Sequence, residues 1–184
     1  MEPFYLGEQV FELSHLADHR EYTNALLGKN HKRVLIEISY SCHCWSRSPV
    51  DGEDIPKDRH VPDGSKVSPR NRIFCEQRHE LSKELPAAIK EMLAGDGHVS
   101  KTPEQNILRV DKAIPILATD DLMNYYIFLH IQKKEPEGKQ KYIKLFVETA
   151  YPESALFKKV IEGKPFNFSK LVGDCWKGEY TGRK

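Results

Sequence analysis

Several groups of residues in this chain have the types and spacing to do chemistry. Arg78-His79-Glu80-Leu81-Ser82, with Arg72 shortly before it, is the first. An imidazole titrates near neutral pH, as a general acid or base must, and a guanidinium can stabilise an anionic phosphorus centre. The plainer reading of His79 is a helix-entry or core histidine. Thr149-Ala150-Tyr151-Pro152 offers two hydroxyls that could orient a phosphate or its leaving group. Cys42-His43-Cys44 is the most unusual string, and Cys42, Cys44, Cys75 and His79 would together make a tetrahedral zinc set. Their spacing is not that of a standard finger or ribbon, and small buried core cysteines are the alternative. His15 and His19 stand four apart with Asp18 between them, the spacing of two ligands on one helical face. With no third ligand in sight, a structural pair is favoured.

The elements that must position these groups follow from periodicity. Residues 1–30 read as helical, with Phe11, His15, His19 and Tyr22 near one face and Leu26 and Leu27 ahead of Gly28. Val34, Ile36, Ile38 and Tyr40 alternate with Leu35, Glu37 and Ser39, which predicts a strand over 33–41. From Ser46 to Pro69 there is no periodicity, and a long surface loop is expected. Ser82 reads as the N-cap of a helix whose buried stripe is Leu81, Leu85, Ile89, Met92 and Leu93, ending at Gly95 and Gly97. Ile107–Val110, continued through Leu117, suggests a strand. Asn124–Ile131 and Tyr142–Ala150 flank a Glu-Pro-Glu-Gly turn, which predicts a hairpin. Ser154–Ile161 reads as a closing helix, and the tail from Phe166 has no strong pattern.

The fold class is therefore α+β: an N-terminal helical segment and strand, then a helix packed on a small, mostly antiparallel sheet. One domain is expected over 1–184. Within it lie a helix-strand part (1–45), the 46–69 loop, a core (70–160) and a tail (161–184).

The chain has 184 residues, a formal charge of +1 and 10% aromatic residues, as in a globular protein. No apolar run approaches the roughly 18 residues that span a bilayer, so no membrane partner is expected. Met-Glu-Pro-Phe-Tyr lacks the basic and apolar regions of a signal peptide, and a cytoplasmic protein with four reduced cysteines is expected. Near-neutral charge advertises no global field for nucleic acid. Basic residues nonetheless cluster at Lys32-Arg33 and along Lys133, Lys134, Lys139, Lys141 and Lys144. Such clusters bind phosphates or are simply solvated faces. No cofactor motif occurs, and no cofactor or metal is expected at the leading site.

Over residues 72–153 the order of elements resembles metal-independent nucleases of the barnase, EndoU, tRNA-cleaving colicin and RelE class, including phage and polymorphic toxins. The matching strings are Arg78-His79-Glu80-Leu81-Ser82, Leu85-Pro86-Ala87-Ala88-Ile89, Tyr125-Tyr126-Ile127-Phe128 and Val147-Glu148-Thr149-Ala150-Tyr151-Pro152. That resemblance implies an endoribonuclease. His79 would act as acid or base, and Arg72 or Arg78 with a hairpin lysine (Lys133, Lys134, Lys141 or Lys144) would hold charge on phosphorus. Thr149 and Tyr151 would orient the phosphate, and His130 would be a second acid-base group. RNA is the implied partner, alongside an antitoxin or host protein. The competing readings are a phage or mobile-element protein that binds without catalysis, and a zinc-stabilised binding module.

Overall fold

The computed structural model describes residues 1–63, 71–94, 98–101, 108–115, 122–152 and 165–180. In chain order it begins with β1 (Phe4–Leu6), β2 (Gln9–Phe11), β3 (His19–Leu27) and β4 (Asn30–Tyr40). Next come β5 (Ser46–Arg47), β6 (His60–Pro62), β7 (Asn71–Phe74), α1 (Glu76–Ser82) and α2 (Leu85–Ala94). The remainder is β8 (His98–Lys101), β9 (Leu108–Pro115), β10 (Leu122–Lys134), β11 (Tyr142–Pro152), β12 (Pro165–Asn167) and α3 (Phe168–Lys177). The α+β class is as expected.

Seven strands form the main sheet in the order β12-β8-β9-β10-β11-β4-β3. Every pairing in it is antiparallel except β11 with β4, which run parallel from Ile143↔Ile36 to Val147↔Tyr40. Strand alternation sends Ile36, Ile38, Ile127, Leu129, Leu145 and Val147 to one face, where each is fully buried. Leu85 and Ile89 of α2 and Phe168 and Val172 of α3 share that core. Each such side chain contributes roughly 1.5–3 kcal/mol. The opposite face carries Tyr22, Arg33, Glu37, Lys144, Phe146 and His130.

The expected helix over residues 1–30 is not formed; β1, β2 and β3 occupy it, with a 3-10 turn at Ser14–Leu16. Its i, i+4 spacing also fits alternation, because Thr23 and Ala25 are small enough to be inward strand positions and both are buried. Gly28 is the positive-φ residue of a two-residue β3–β4 turn instead of a helix terminator. β3 and β4 join the same sheet as β10 and β11, so residues 1–45 are continuous with the core.

Ser82 does not cap a helix start. It closes α1, and its hydroxyl donates to the His79 carbonyl at 2.7 Å. Pro86 lies in the first turn of a separate helix, α2, where its missing N–H is tolerated. Residues 46–63 of the expected loop are more ordered than a loop, since β5 and β6 pair with β7 in a three-stranded sheet, and 64–69 lie outside the described residues. Arg47 Nη1 donates to Glu53 Oε2 at 2.7 Å, and the Val50 amide donates to that oxygen at 2.8 Å. These contacts hold the Glu53 carboxyl down at about 2. Cys42–Cys44 is a 3-10 turn. The expected helix at 154–161 and the glycines at 95 and 97 lie outside the described residues.

The tail conceals a helix. Asn167 Oδ1 accepts from the Lys170 amide at 3.1 Å to start α3, and Gly178 at φ 87° ends it. Phe168, Leu171, Val172 and Cys175 are its buried stripe. Gly173 brings α3 onto β3 so closely that a Cβ there would sit 2.0 Å from the Leu26 carbonyl oxygen. Gly173→Ala should therefore destabilise the fold by about 1–3 kcal/mol in urea denaturation, through backbone displacement. Lys170→Ala on the exposed side of α3 should stay within about 0.5 kcal/mol.

Candidate functional site

Parallel pairing ends at Tyr40 and Val147, and the two strands part there. The Ser41 amide still donates to the Val147 carbonyl at 2.9 Å, and the chain then turns through Cys42–Cys44. The Ser41 hydroxyl fixes this turn by accepting from the His43 amide at 3.1 Å.

At the same level β11 bulges. Phe128 pairs with Thr149 while Leu129 pairs with Val147, so Glu148 is the extra residue. A bulge of this kind re-aims a side chain and raises local twist. Glu148 Oε2 lies 3.6 Å from His130 Nδ1, and both side chains are about a quarter exposed. That distance is beyond hydrogen-bond range. Phe146, with its ring 5.2 Å from that of His130, flanks the pair.

Arg78 reaches the same region from α1. Its Nη1 donates to the carbonyls of His43 (3.1 Å) and Ser46 (2.9 Å), and its guanidinium lies 5.6 Å over the Tyr151 ring. Nε and Nη2 make no hydrogen bond among the described residues. The Thr149 hydroxyl donates to the His43 carbonyl at 3.4 Å, and Tyr151 stacks on Phe128 at 5.2 Å. Arg78 and Thr149 thus converge on the His43 carbonyl, with Tyr151 under the guanidinium, Glu148 next in the chain to Thr149 and His130 beside Glu148.

Arg72 and His79 are differently placed. Arg72 is buried, donating from Nε to Ser46 Oγ (2.7 Å), from Nη2 to Ser46 O (2.9 Å) and from Nη1 to Ser48 Oγ (3.4 Å). Ser46 Oγ in turn donates to Cys42 O at 2.7 Å. The side chain of Arg72 therefore organises residues 42–48.

His79 is 3% exposed and faces the β1–β2 hairpin. Its Nε2 donates to the Glu12 carbonyl at 2.9 Å, and its ring lies edge-on to Phe11 (5.3 Å) and His15 (5.8 Å). Among the described residues His79 Nδ1 has no hydrogen-bond partner within the usual geometry, and it sits 3.4 Å from Glu80 Oε1. Because the Ser82 hydroxyl donates to His79 O, His15 Nε2 is the donor in its 2.8 Å bond to Ser82 Oγ. His19 begins β3, with Nδ1 donating to Ala17 O at 3.1 Å. His15 and His19 therefore share no helical face.

The zinc grouping does not form. Among the described residues no three His, Cys, Asp or Glu side chains are gathered as metal ligands. Burial pushes the Cys44 and Cys42 thiols up. Of the hairpin lysines, Lys133 and Lys141 are held by Glu135 at 2.6 and 2.9 Å, which keeps that carboxyl down at about 2. Lys134 and Lys144 form no ion pair among the described residues. Glu148 is the residue that pattern reading missed. Its only signal was a carboxylate inside the strand run that ends in Thr149.

These features define an α+β protein in which Arg78, His130, Glu148, Thr149 and Tyr151 lie near the end of the parallel β4–β11 pair. A family model matches residues 3–176, nearly the whole chain, and the protein belongs to the YjaZ family. No curated protein and no solved structure matches it. No helix among the described residues is long and apolar enough to cross a membrane.

Burial first, then the nearby His79 and Lys83, holds His15 below its usual 6.5. The unfolded chain binds a proton at 6.5 that the folded chain refuses, so this residue makes stability fall as pH drops from 6.5 through the lowered folded value. Urea midpoints between pH 7.5 and 5 should show that slope, and His15→Gln should flatten it. Arg72→Met leaves the Ser46 hydroxyl without its donor and the Ser46 carbonyl with Arg78 alone, and should cost at least about 2 kcal/mol. Arg20→Met, at the exposed pair with Glu37 (2.8 Å), should cost under about 1 kcal/mol by the same assay.

Proposed function

We propose that this chain is an endoribonuclease whose chemistry is carried by side chains alone, without a metal. The observation that carries this reading is the Glu148–His130 pair at 3.6 Å, set by the bulge beside Arg78, Thr149 and Tyr151. A carboxylate and an imidazole supply a base and an acid, and Arg78 supplies a cation with Nε and Nη2 turned to neither carbonyl.

Glu148 takes the proton from a ribose 2′-hydroxyl, and the freed oxygen attacks phosphorus in line. As the bond from phosphorus to the 5′-oxygen breaks, protonated His130 gives its proton to that leaving oxygen. A 2′,3′-cyclic phosphate and a 5′-hydroxyl result. Arg78 faces the charge that gathers on the phosphoryl oxygens, and Thr149 and Tyr151 orient the group. Lys134 and Lys144 contact flanking phosphates; Lys133 and Lys141 add to the field from their pairs with Glu135. In this scheme His79 braces α1 against the N-terminal hairpin and Arg72 braces the 42–48 segment. The resemblance over 72–153 extends the proposal to a cytoplasmic phage, mobile-element or toxin enzyme whose protein partner is an antitoxin or host factor.

The test is cleavage of total and transfer RNA in excess EDTA. Products should carry cyclic phosphate, and His130→Ala and Glu148→Gln should each slow the reaction by about 10²–10⁴-fold. His79→Ala should lower stability yet retain cleavage in its folded fraction. Cleavage lost with His79 and kept without His130 would transfer the acid-base role to His79. RNA bound and left intact by the native protein would favour a binding protein that does not turn over.

A further inference from the structure

The face of the main sheet opposite the core is built from cations lying on aromatic rings. Arg33 lies 4.3 Å over the ring of Tyr22, which is 47% exposed, and Arg20 lies 5.8 Å over Tyr142. Strand register orders this face into rows. Tyr22 pairs with Leu35 on β4, and Tyr142 pairs with Lys134 on β10. The next row runs Arg20, Glu37, Lys144 and Gln132, and the one after it Ser39, Phe146 and His130. Rows on one face are about 6.6 Å apart, so the distance from Tyr142 to the bulge at Glu148 is about 20 Å.

Charge along this path favours an anion at the end remote from Glu148. The β3–β4 tip adds exposed Lys29 to Arg33, while Lys32 turns to the other face over the Trp176 ring at 4.9 Å; the β10–β11 tip holds five lysines (133, 134, 139, 141 and 144) against Glu135 and Glu137. The whole chain carries only +1, so this end is strongly positive relative to the rest. Phosphate-facing cations interleaved with rings that offer a stacking face are the chemistry of single-stranded nucleic acid binding. A duplex hides its bases and cannot use the rings.

We propose that this open sheet face is a track for single-stranded RNA, running from the two hairpin tips to the Glu148–His130 pair. Bases stack on Tyr22, Tyr142 and Phe146, while Arg33 and Lys144 turn to the phosphates and Arg20 stays paired with Glu37. The assignment of RNA rests on the nuclease reading; the single-strandedness rests on the face itself. The substrate class it names is an unpaired segment several nucleotides long, flanking the cut on one side.

The test is fluorescence anisotropy of a labelled 2′-O-methyl 12-mer of uridine, which cannot be cleaved, against its duplex with a complementary strand. Tyr22→Ala and Arg33→Gln should each weaken single-strand binding at least about fivefold with unchanged melting temperature, and the duplex should bind more weakly. Normal binding by folded Tyr22→Ala and Arg33→Gln, or tighter binding of the duplex, would overturn the track even if RNA is cut. Loss of oligomer binding in those variants, from a native protein that cuts no RNA, would keep the track and remove the nuclease.

Discussion

The parallel pairing of β4 with β11 is the constraint on which the rest of the molecule depends. In a sheet otherwise built from antiparallel neighbours, it makes two strands from opposite ends of the sequence finish at the same edge. A parallel pair needs a long crossover. Here that crossover holds the small second sheet, α1, α2 and the first half of the main sheet. Where the pair ends, β4 turns away through Cys42–Cys44 and β11 bulges at Glu148. Both departures answer one problem: a strand that loses its neighbour must satisfy its backbone groups in another way.

Main-chain carbonyls are the common currency at that edge. Ser46 O accepts from both Arg72 and Arg78, and His43 O accepts from Arg78 and Thr149. Two guanidiniums on one short segment divide their work. Arg72, with all three nitrogens engaged, sets the segment's shape. Arg78 uses one nitrogen for anchorage and keeps the others at the Tyr151 face.

Much of the architecture was legible because it obeys simple periods. The alternation through Val34–Tyr40 and Asn124–Ile131, and the turn at Glu135–Gly138, gave strands and a hairpin that the structure contains. The N-terminal segment was not legible, since Tyr22, Thr23 and Ala25 fit either period and only their pairing with Leu35, Val34 and Lys32 decides between them. Nor was α3, whose short stripe of Phe168, Leu171, Val172 and Cys175 looks like a tail until Asn167 is seen as a cap. Of the site, Arg78, Thr149, Tyr151 and His130 were legible as residue types at strand and helix ends. The separation of His79 from them, and the arrival of Glu148, depend on a helix's rotation and a bulge, neither of which has a local signature.

The register of β4 on β11 also bears on how the chain reaches this structure. Ile36 must find Ile143, more than a hundred residues later, before either strand's inner face is covered. The β3–β4 and β10–β11 hairpins close through short turns and can form early, each on its own. Joining them closes most of the chain into one loop, and the entropy lost in that step precedes the burial that rewards it. The molecule's slowest spontaneous event is thus expected at its centre, in the meeting of two preformed hairpins.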